Sequence, residues 1–270
     1  MKGDIDVVYV WCGEPATKFC RFTKDIDYSV QSVHKFMPWT RKIWVVVSDD
    51  FDKPELLPKG VCIVKESKIV PKRFLPVTWN SNVIESWIWA IPGLSDKFIY
   101  FCDDMYVGRV CEPADFFVGD MPILRVYDGP SSFLPLSKTN SPVQYVRMWA
   151  HAVEAYGLEY TRIQHQALPY RISLLKKFYG TYKKEVTKAS LNKVRSGEHD
   201  FNLLRFTSSL AVMSGDSLLH VTRDDTDFFV ESNDRVRGRK ILTIKPKFFC
   251  INNSVGDKWV YKLLETILLA

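Results

Sequence analysis

In the first half of this chain, short apolar runs alternate with segments of helical periodicity every dozen or so residues, and that alternation restricts the fold more than any other feature. Apolar runs separated by amphipathic helices bury both kinds of segment as a mostly parallel sheet with crossover helices. The first run, IDVVYVW at 5–11, reads as a strand. Between 25 and 36, Ile26, Val30, Val33 and Phe36 recur near helical spacing, and Pro38 stops that helix. The run at 43–47 is apolar throughout, as a strand covered on both faces must be, and it delivers Ser48, Asp49 and Asp50 to its C-terminal edge. A shorter strand is expected at 61–64. Asn80 or Ser81 caps a helix that Pro92 and Gly93 end, and a buried strand at 97–102 runs directly into Asp103 and Asp104. Ligands of open α/β sheets bind at strand ends of this kind.

The second half differs in kind. Helical patterns from 141 to about 219 are broken by Pro142, Gly157, Pro169, Gly180 and Gly197, and a loop rich in Asp and Arg follows. Strand character returns at 241–251, and an amphipathic helix closes the chain from about Asp257. Trp259, Val260, Leu263, Leu264, Ile267 and Leu268 share one broad face of that helix, which reads as packing against the core, with a membrane or dimer contact as the alternative. No internal repeat, low-complexity tract or linker divides the sequence. One domain is therefore expected over 1–270: an α/β core at 1–130, a helical insertion at 141–219 and a return to the core at 240–270.

With 270 residues, 46% of them hydrophobic, the chain is large enough for a full core, and its apolar runs are far shorter than the roughly 20 residues that span a bilayer. The opening Met1-Lys2-Gly3-Asp4 lacks the features of a signal peptide, so a cytoplasmic location is expected. Six scattered cysteines without a C-x-x-C pair suggest reduced thiols rather than a zinc site or a disulfide scaffold. The formal charge of +6, concentrated at 176–193 and 235–240, suits a phosphorylated substrate, an anionic membrane or nucleic acid equally well.

The sharpest local feature is IYFCDDMYVG at 99–108, where two carboxylates stand together at the end of an apolar strand. Such a pair suits a divalent metal that bridges nucleotide-sugar phosphates, and it also arises as a turn or a helix cap. His165, between Gln164 and Gln166, can take a proton near neutral pH or serve only as a hydrogen-bonded structural histidine. Arg195 can grip a phosphate through its planar fork or simply complement a helix end. Asn80, Ser81 and Asn82 with Glu85, and Asn252 with Asn253, are polar clusters beside apolar segments. The P-loop, dinucleotide, serine-hydrolase and zincin motifs are all missing, so a nucleotide would be held by other means.

Jointly, these segments resemble the stealth family of sugar-1-phosphate transferases, which includes bacterial capsule polysaccharide phosphotransferases and the catalytic precursor of the lysosomal GlcNAc-1-phosphotransferase. The first region of the family resembles IDVVYVW. Its second resembles YSVQSVHKFMPWTRKIWVVVSD, LPVTWNSNVIES and IPGLSDKFIYFCDDMYVG in order; its third, His165 to Pro169 followed by KVRSGEHDFN; its fourth, KFFCINN. The resemblance implies a Rossmann-like, glycosyltransferase-A-like core and attack by an acceptor hydroxyl on the phosphorus attached to the sugar, so that sugar-1-phosphate moves as a unit and a nucleoside monophosphate leaves.

By the same resemblance Asp104, His165 and Arg195 are the catalytic residues, with Asp103 and Asp104 as ligands of Mg²⁺ or Mn²⁺. Trp11, Gly13, Ser48, Asn80, Asn82, Glu85 and Asp103 contact a nucleotide sugar, UDP-linked in this reading and UDP-GlcNAc by analogy. A glycan is the acceptor, a peripheral contact with the inner membrane or a polysaccharide assembly complex is implied, and nucleic acid is not. The chain departs from the family pattern at Cys12, Asp27, Gln31, Cys102 and Asn253. Two other readings stand beside this one: a conventional metal-dependent glycosyltransferase releasing a nucleoside diphosphate, and a non-catalytic glycan- or anion-binding domain.

Overall fold

The computed structural model of the protein describes residues 3–11, 24–77, 80–127, 144–157, 165–195, 199–252 and 257–269. In chain order, β1 (Asp6–Val10), α1 (Asp25–Phe36), β2 (Ile43–Val47), β3 (Val61–Lys65), α2 (Ser81–Trp87) and β4 (Lys97–Phe101) lay down the α/β half. Next come β5 (Met105–Val107), β6 (Phe117–Val118), β7 (Met121–Tyr127), α3 (Gln144–Tyr156), β8 (Leu168–Arg171), α4 (Ile172–Thr181), α5 (Lys183–Ala189) and α6 (Leu203–Met213). The chain ends with β9 (Leu218–Thr222), β10 (Asp227–Glu231), α7 (Arg235–Arg239), α8 (Ile241–Ile244), β11 (Phe248–Asn252) and α9 (Lys258–Leu269).

The main sheet has the order β3-β2-β1-β4-β8. Its first four strands are parallel, and β8 pairs antiparallel with β4, from Lys97↔Arg171 to Tyr100↔Leu168. Because successive strand residues point to opposite faces, apolar runs such as β2 and β4 feed two separate cores. Val8, Trp44, Val46, Phe98 and Tyr100 face one cluster, closed by residues of α2, α4 and α6 such as Trp87, Leu175 and Phe206. Val7, Tyr9, Val45, Val47, Ile99 and Phe101 face the other, covered by Ile26, Val30, Val33 and Phe36 of α1.

Two smaller sheets, β10-β11-β5 and β6-β7-β9, flank the main one. In the first, β11 runs parallel to β10 and antiparallel to β5. Strand β5 begins immediately after Asp104, so the acid pair lies at the corner where the main sheet hands the chain to the second sheet. The Ile251 amide donates to the Asp104 carbonyl at 3.1 Å and fixes that corner.

The second half departs from the sequence expectations in three places. The stretch read as helical contains β8, which adds an antiparallel strand to the main sheet. The Asp- and Arg-rich stretch read as a loop holds β9, β10 and α7. Strand character read from 241 begins only at Phe248, because Ile241–Ile244 is a short helix.

Candidate functional site

Strand β4 carries Phe98, Ile99, Tyr100 and Phe101 into the cores and then surfaces, presenting Cys102, Asp103 and Asp104 as partly exposed residues. His165 stands at the start of the segment that leads into β8, the neighbour of β4. The antiparallel pairing of these strands therefore brings together residues 61 positions apart: His165 Nε2 lies 3.1 Å from Asp104 Oδ1. The other carboxylate oxygen of Asp104 accepts from the buried Cys250 thiol on β11 at 3.4 Å.

Burial pushes the Asp104 carboxyl up, but the charge and hydrogen bond of His165 and the bond from Cys250 outweigh it and hold the group below the usual carboxylate range. Asp103 moves the opposite way, pushed up to about 7 by burial, by Asp104 and by Asp25 at the start of α1. Three carboxylates thus share a corner with one histidine.

His165 is held from behind. Its neighbours Gln166 and Ala167 are gripped by the buried Arg125 of β7, whose Nη2 donates to the Ala167 carbonyl at 2.6 Å and whose Nε donates to Gln166 Oε1 at 3.3 Å. Gln166 Nε2 donates back to the Arg125 carbonyl at 2.9 Å. The guanidinium lies 4.3 Å from the Phe248 ring centre and pairs with buried Asp227 at 3.4 Å. At 36% side-chain exposure, His165 remains open to solvent on this fixed base.

The remaining sequence-derived candidates spread along α2 and α6. Asn202 caps α6 by accepting from the Arg205 amide at 3.0 Å, while its Nδ2 donates to Asn82 Oδ1 at 2.9 Å and Glu85 Oε2 at 2.8 Å. Arg205 completes this latch through Nε to Glu85 Oε2 at 3.2 Å and reaches Cys102 Sγ at 3.5 Å. Asn80 donates to the Asn192 carbonyl at 3.0 Å and to Asp200 at 3.3 Å. Exposed Arg195 donates to Ser81 Oγ at the first turn of α2.

Trp11 is buried, edge-on to Phe51 with ring centres 5.6 Å apart, and Ser48 is part-exposed at the end of β2. Gly13, like Cys12 and Asn253, lies outside the described residues. The structure therefore joins Asp103, Asp104 and His165 in one place and Asn82, Glu85 and Arg195 in another, with Arg205 and Cys102 between them. Asp25, Arg125, Arg205 and Cys250 were not read as site residues. Each acts through partners distant in sequence; Arg205 stands out locally only as the one charge in the helix LLRFTSSLAVM, which does not say that it is buried.

Among the described residues, Cys102, Asp104 and His165 can each offer one ligand atom within 4.8 Å of the others, a set able to hold a metal ion. Asp103 adds an oxygen donor next in sequence. The excess of acid over base at this corner suits a divalent cation.

Residues 20–123 match the family described as Stealth protein CR2, conserved region 2. A capsular polysaccharide phosphotransferase of Neisseria meningitidis serogroup B is 30% identical over 261 residues, covering 90% of this chain and 68% of that protein. The chain belongs to the stealth family of capsular polysaccharide phosphotransferases. A second such phosphotransferase, from Haemophilus influenzae, is 28% identical and covers 98% of this chain and 82% of its own length. A receptor polysaccharide phosphotransferase of Streptococcus oralis reaches 41% identity over 96 residues, or 34% of this chain and 28% of that one. The stealth chain also shares its fold with mouse xyloside xylosyltransferase 1 in its apo crystal structure, at a TM-score of 0.50 and 10% identity over 93% of this chain and 98% of the other. That likeness places the α/β core among glycosyltransferase-A-like folds. No helix among the described residues is long and apolar enough to cross a membrane.

Proposed function

We propose that this protein moves a hexose- or N-acetylhexosamine-1-phosphate from a nucleotide sugar, UDP-linked in this reading, to a glycan hydroxyl. The product is a phosphodiester of a capsule or other surface polysaccharide, and a nucleoside monophosphate leaves. The observation that carries the reading is the contact of His165 with Asp104 at the end of β4, in a chain whose relatives are named as polysaccharide phosphotransferases.

A neutral His165 that donates Nε2–H to Asp104 has its lone pair on Nδ1. That nitrogen is the base that takes the acceptor proton, and Asp104 stabilises the imidazolium that forms. The hydroxyl oxygen then bonds to the phosphorus attached to the sugar, the bond from phosphorus to the nucleotide's bridging oxygen breaks, and the nucleoside monophosphate carries that oxygen away. Arg195, anchored at Ser81, supplies a planar cationic fork for the transferring phosphate. Donor contacts fall to Ser48, Asn82 and Asp103, which retain exposure, whereas Trp11, Asn80 and Glu85 are buried in internal contacts and shape the site from behind. Asp103 and Asp104 would hold Mg²⁺ or Mn²⁺, whose bound charge neutralises the donor phosphates. In this reading 1–270 acts as one catalytic domain in the cytoplasm, at or near the inner face of the membrane.

The deciding experiment incubates the protein with a panel of UDP-sugars and glycan acceptors, then reads the released nucleotide by chromatography and the product by intact mass. UMP with a product heavier by sugar plus phosphate is expected. Stoichiometric UDP with a gain of sugar alone overturns the proposal in favour of a conventional glycosyltransferase, and binding without turnover favours a glycan-binding domain.

A further inference from the structure

We propose that Cys102, Asp104 and His165 form an open three-ligand site for a borderline divalent cation, zinc in the first place, and that its occupancy switches off proton transfer by His165. The switch rests on the phosphotransferase reading; the site itself does not. The three ligand atoms lie within 4.8 Å of one another, and the His165–Asp104 pair is already at 3.1 Å. Ligand atoms of a tetrahedral zinc ion, at bonds of about 2.0–2.3 Å, stand roughly 3.5 Å apart, so small side-chain movements close the set.

The donor types decide which ion is taken. A thiolate, an imidazole and a carboxylate favour zinc or cobalt over magnesium, which demands oxygen ligands and keeps much of its water. No C-x-x-C spacing announces such a site because its ligands come from the end of β4 and the approach to β8. Burial and the nearby Asp104, Glu85 and Asp103 push the Cys102 thiol up to about 12, which Arg205 Nη2 at 3.5 Å offsets only in part, so the bound cation itself must displace the proton. The Cys250 thiol at 3.4 Å orients the Asp104 carboxylate from behind. All three ligands are partly exposed, which gives the ion a way in and leaves a fourth position for water or a phosphate oxygen.

The consequence for catalysis follows from proton bookkeeping. On binding, the Cys102 thiol releases its proton to solvent, and Nε2 of His165 gives its lone pair to the metal. A neutral imidazole keeps one N–H, which must then sit on Nδ1. That nitrogen no longer has a lone pair to receive the acceptor proton, and phosphoryl transfer stops.

Cobalt titrated into the protein is expected to give a near-ultraviolet thiolate-to-cobalt charge-transfer band. Stoichiometric zinc should displace the cobalt, and millimolar magnesium should not. Cys102→Ser, with Cys102→Asn as a second variant should the first misfold, loses the band and lowers zinc affinity roughly 10²-fold or more. Cys62→Ser, on β3, retains both. Turnover in magnesium falls as buffered free zinc rises, and the inhibitory zinc concentration climbs by a similar factor in the Cys102 variant. Absence of the band, or a band unchanged by Cys102→Ser, overturns the site. Zinc binding with unchanged or increased turnover overturns the switch. Absence of phosphoryl transfer under every metal condition overturns the phosphotransferase reading and the switch with it, while the cobalt band still decides the site.

Discussion

At His165 the identity of the hydrogen-bonded nitrogen decides what a substitution does. With Nε2 on Asp104, losing the ring removes the proposed base yet leaves the carboxylates in place, so His165→Ala is expected to lower kcat about 10²- to 10⁴-fold with little change in the donor KM. Arg195→Lys keeps a charge and loses the planar fork, and is expected to cost roughly 10²-fold in kcat. Steady-state kinetics of the two variants checks both roles, and near-wild-type kcat in either one removes that residue from the mechanism. Asp103, Asp104, His165 and Arg195 stand as candidates from the sequence because each lies in a short segment that resembles a family motif. Arg205 does not, since its carboxylate partner Glu85 stands 120 positions away and nothing local says that the side chain is buried. Cys102 read as a departure from a pattern. Its nearness to His165 comes from the pairing of β4 with β8, which no local pattern reveals.

Among the elements, α2 and α6 are joined by a polar latch, and its energetics depend on pH. Burial pushes the Glu85 carboxyl up, but Arg205, Arg195 and the bonds from Asn202 and Ser81 outweigh it and hold the group below the ordinary range. A carboxyl depressed in the folded state contributes stability that is present above its unfolded pKa and lost as pH falls through the folded one. Wild-type stability should therefore decline as the solution is acidified through about pH 4.5, where an unfolded glutamate is about half protonated and the folded one is still charged. Arg205→Met strands Glu85 in a buried position and is expected to cost about 3–5 kcal/mol at pH 7, with the deficit shrinking in acid. Urea unfolding at pH 7, 5 and 4 measures this, and a deficit independent of pH would show that Arg205 stabilises by packing alone. Elements in the first half were readable from sequence because each has one dominant period, and α1 and β2 fall on their expected spans. Strand β8 was hidden by Pro169, which an edge strand tolerates. Strand β9 was hidden because its central residues are exposed and show no buried alternation.

Across the whole molecule, α9 returns from the end of the chain to brace its beginning. Val260, Leu263 and Leu264 are buried against β10, β11 and α8, and the Trp259 ring packs over Gly238, where a side chain would collide with it. Tyr28 of α1 stacks on Tyr261 at 5.4 Å and donates to Glu265 at 2.9 Å, while the Lys24 amide donates to the Tyr261 hydroxyl at 3.2 Å. These bonds span 237 positions and hold the start of α1, where Asp25 adds its charge to the acid pair. The centre of the apolar face of α9 is thus covered by the protein itself, while Trp259, Ile267 and Leu268 are half-buried. Burying three such side chains contributes roughly 5–9 kcal/mol, comparable to the whole net stability of a typical domain at about 5–15 kcal/mol. Deletion of residues 258–270 is therefore expected to abolish cooperative unfolding rather than lower the melting temperature slightly. Leu264→Ala should cost about 2–5 kcal/mol, and Leu269→Ala, at a residue 87% exposed, less than about 0.5 kcal/mol. Calorimetry of the three variants, together with flotation on anionic vesicles, separates packing from membrane binding. A Leu264→Ala protein that melts like wild type but no longer floats would transfer α9 from the core to the membrane.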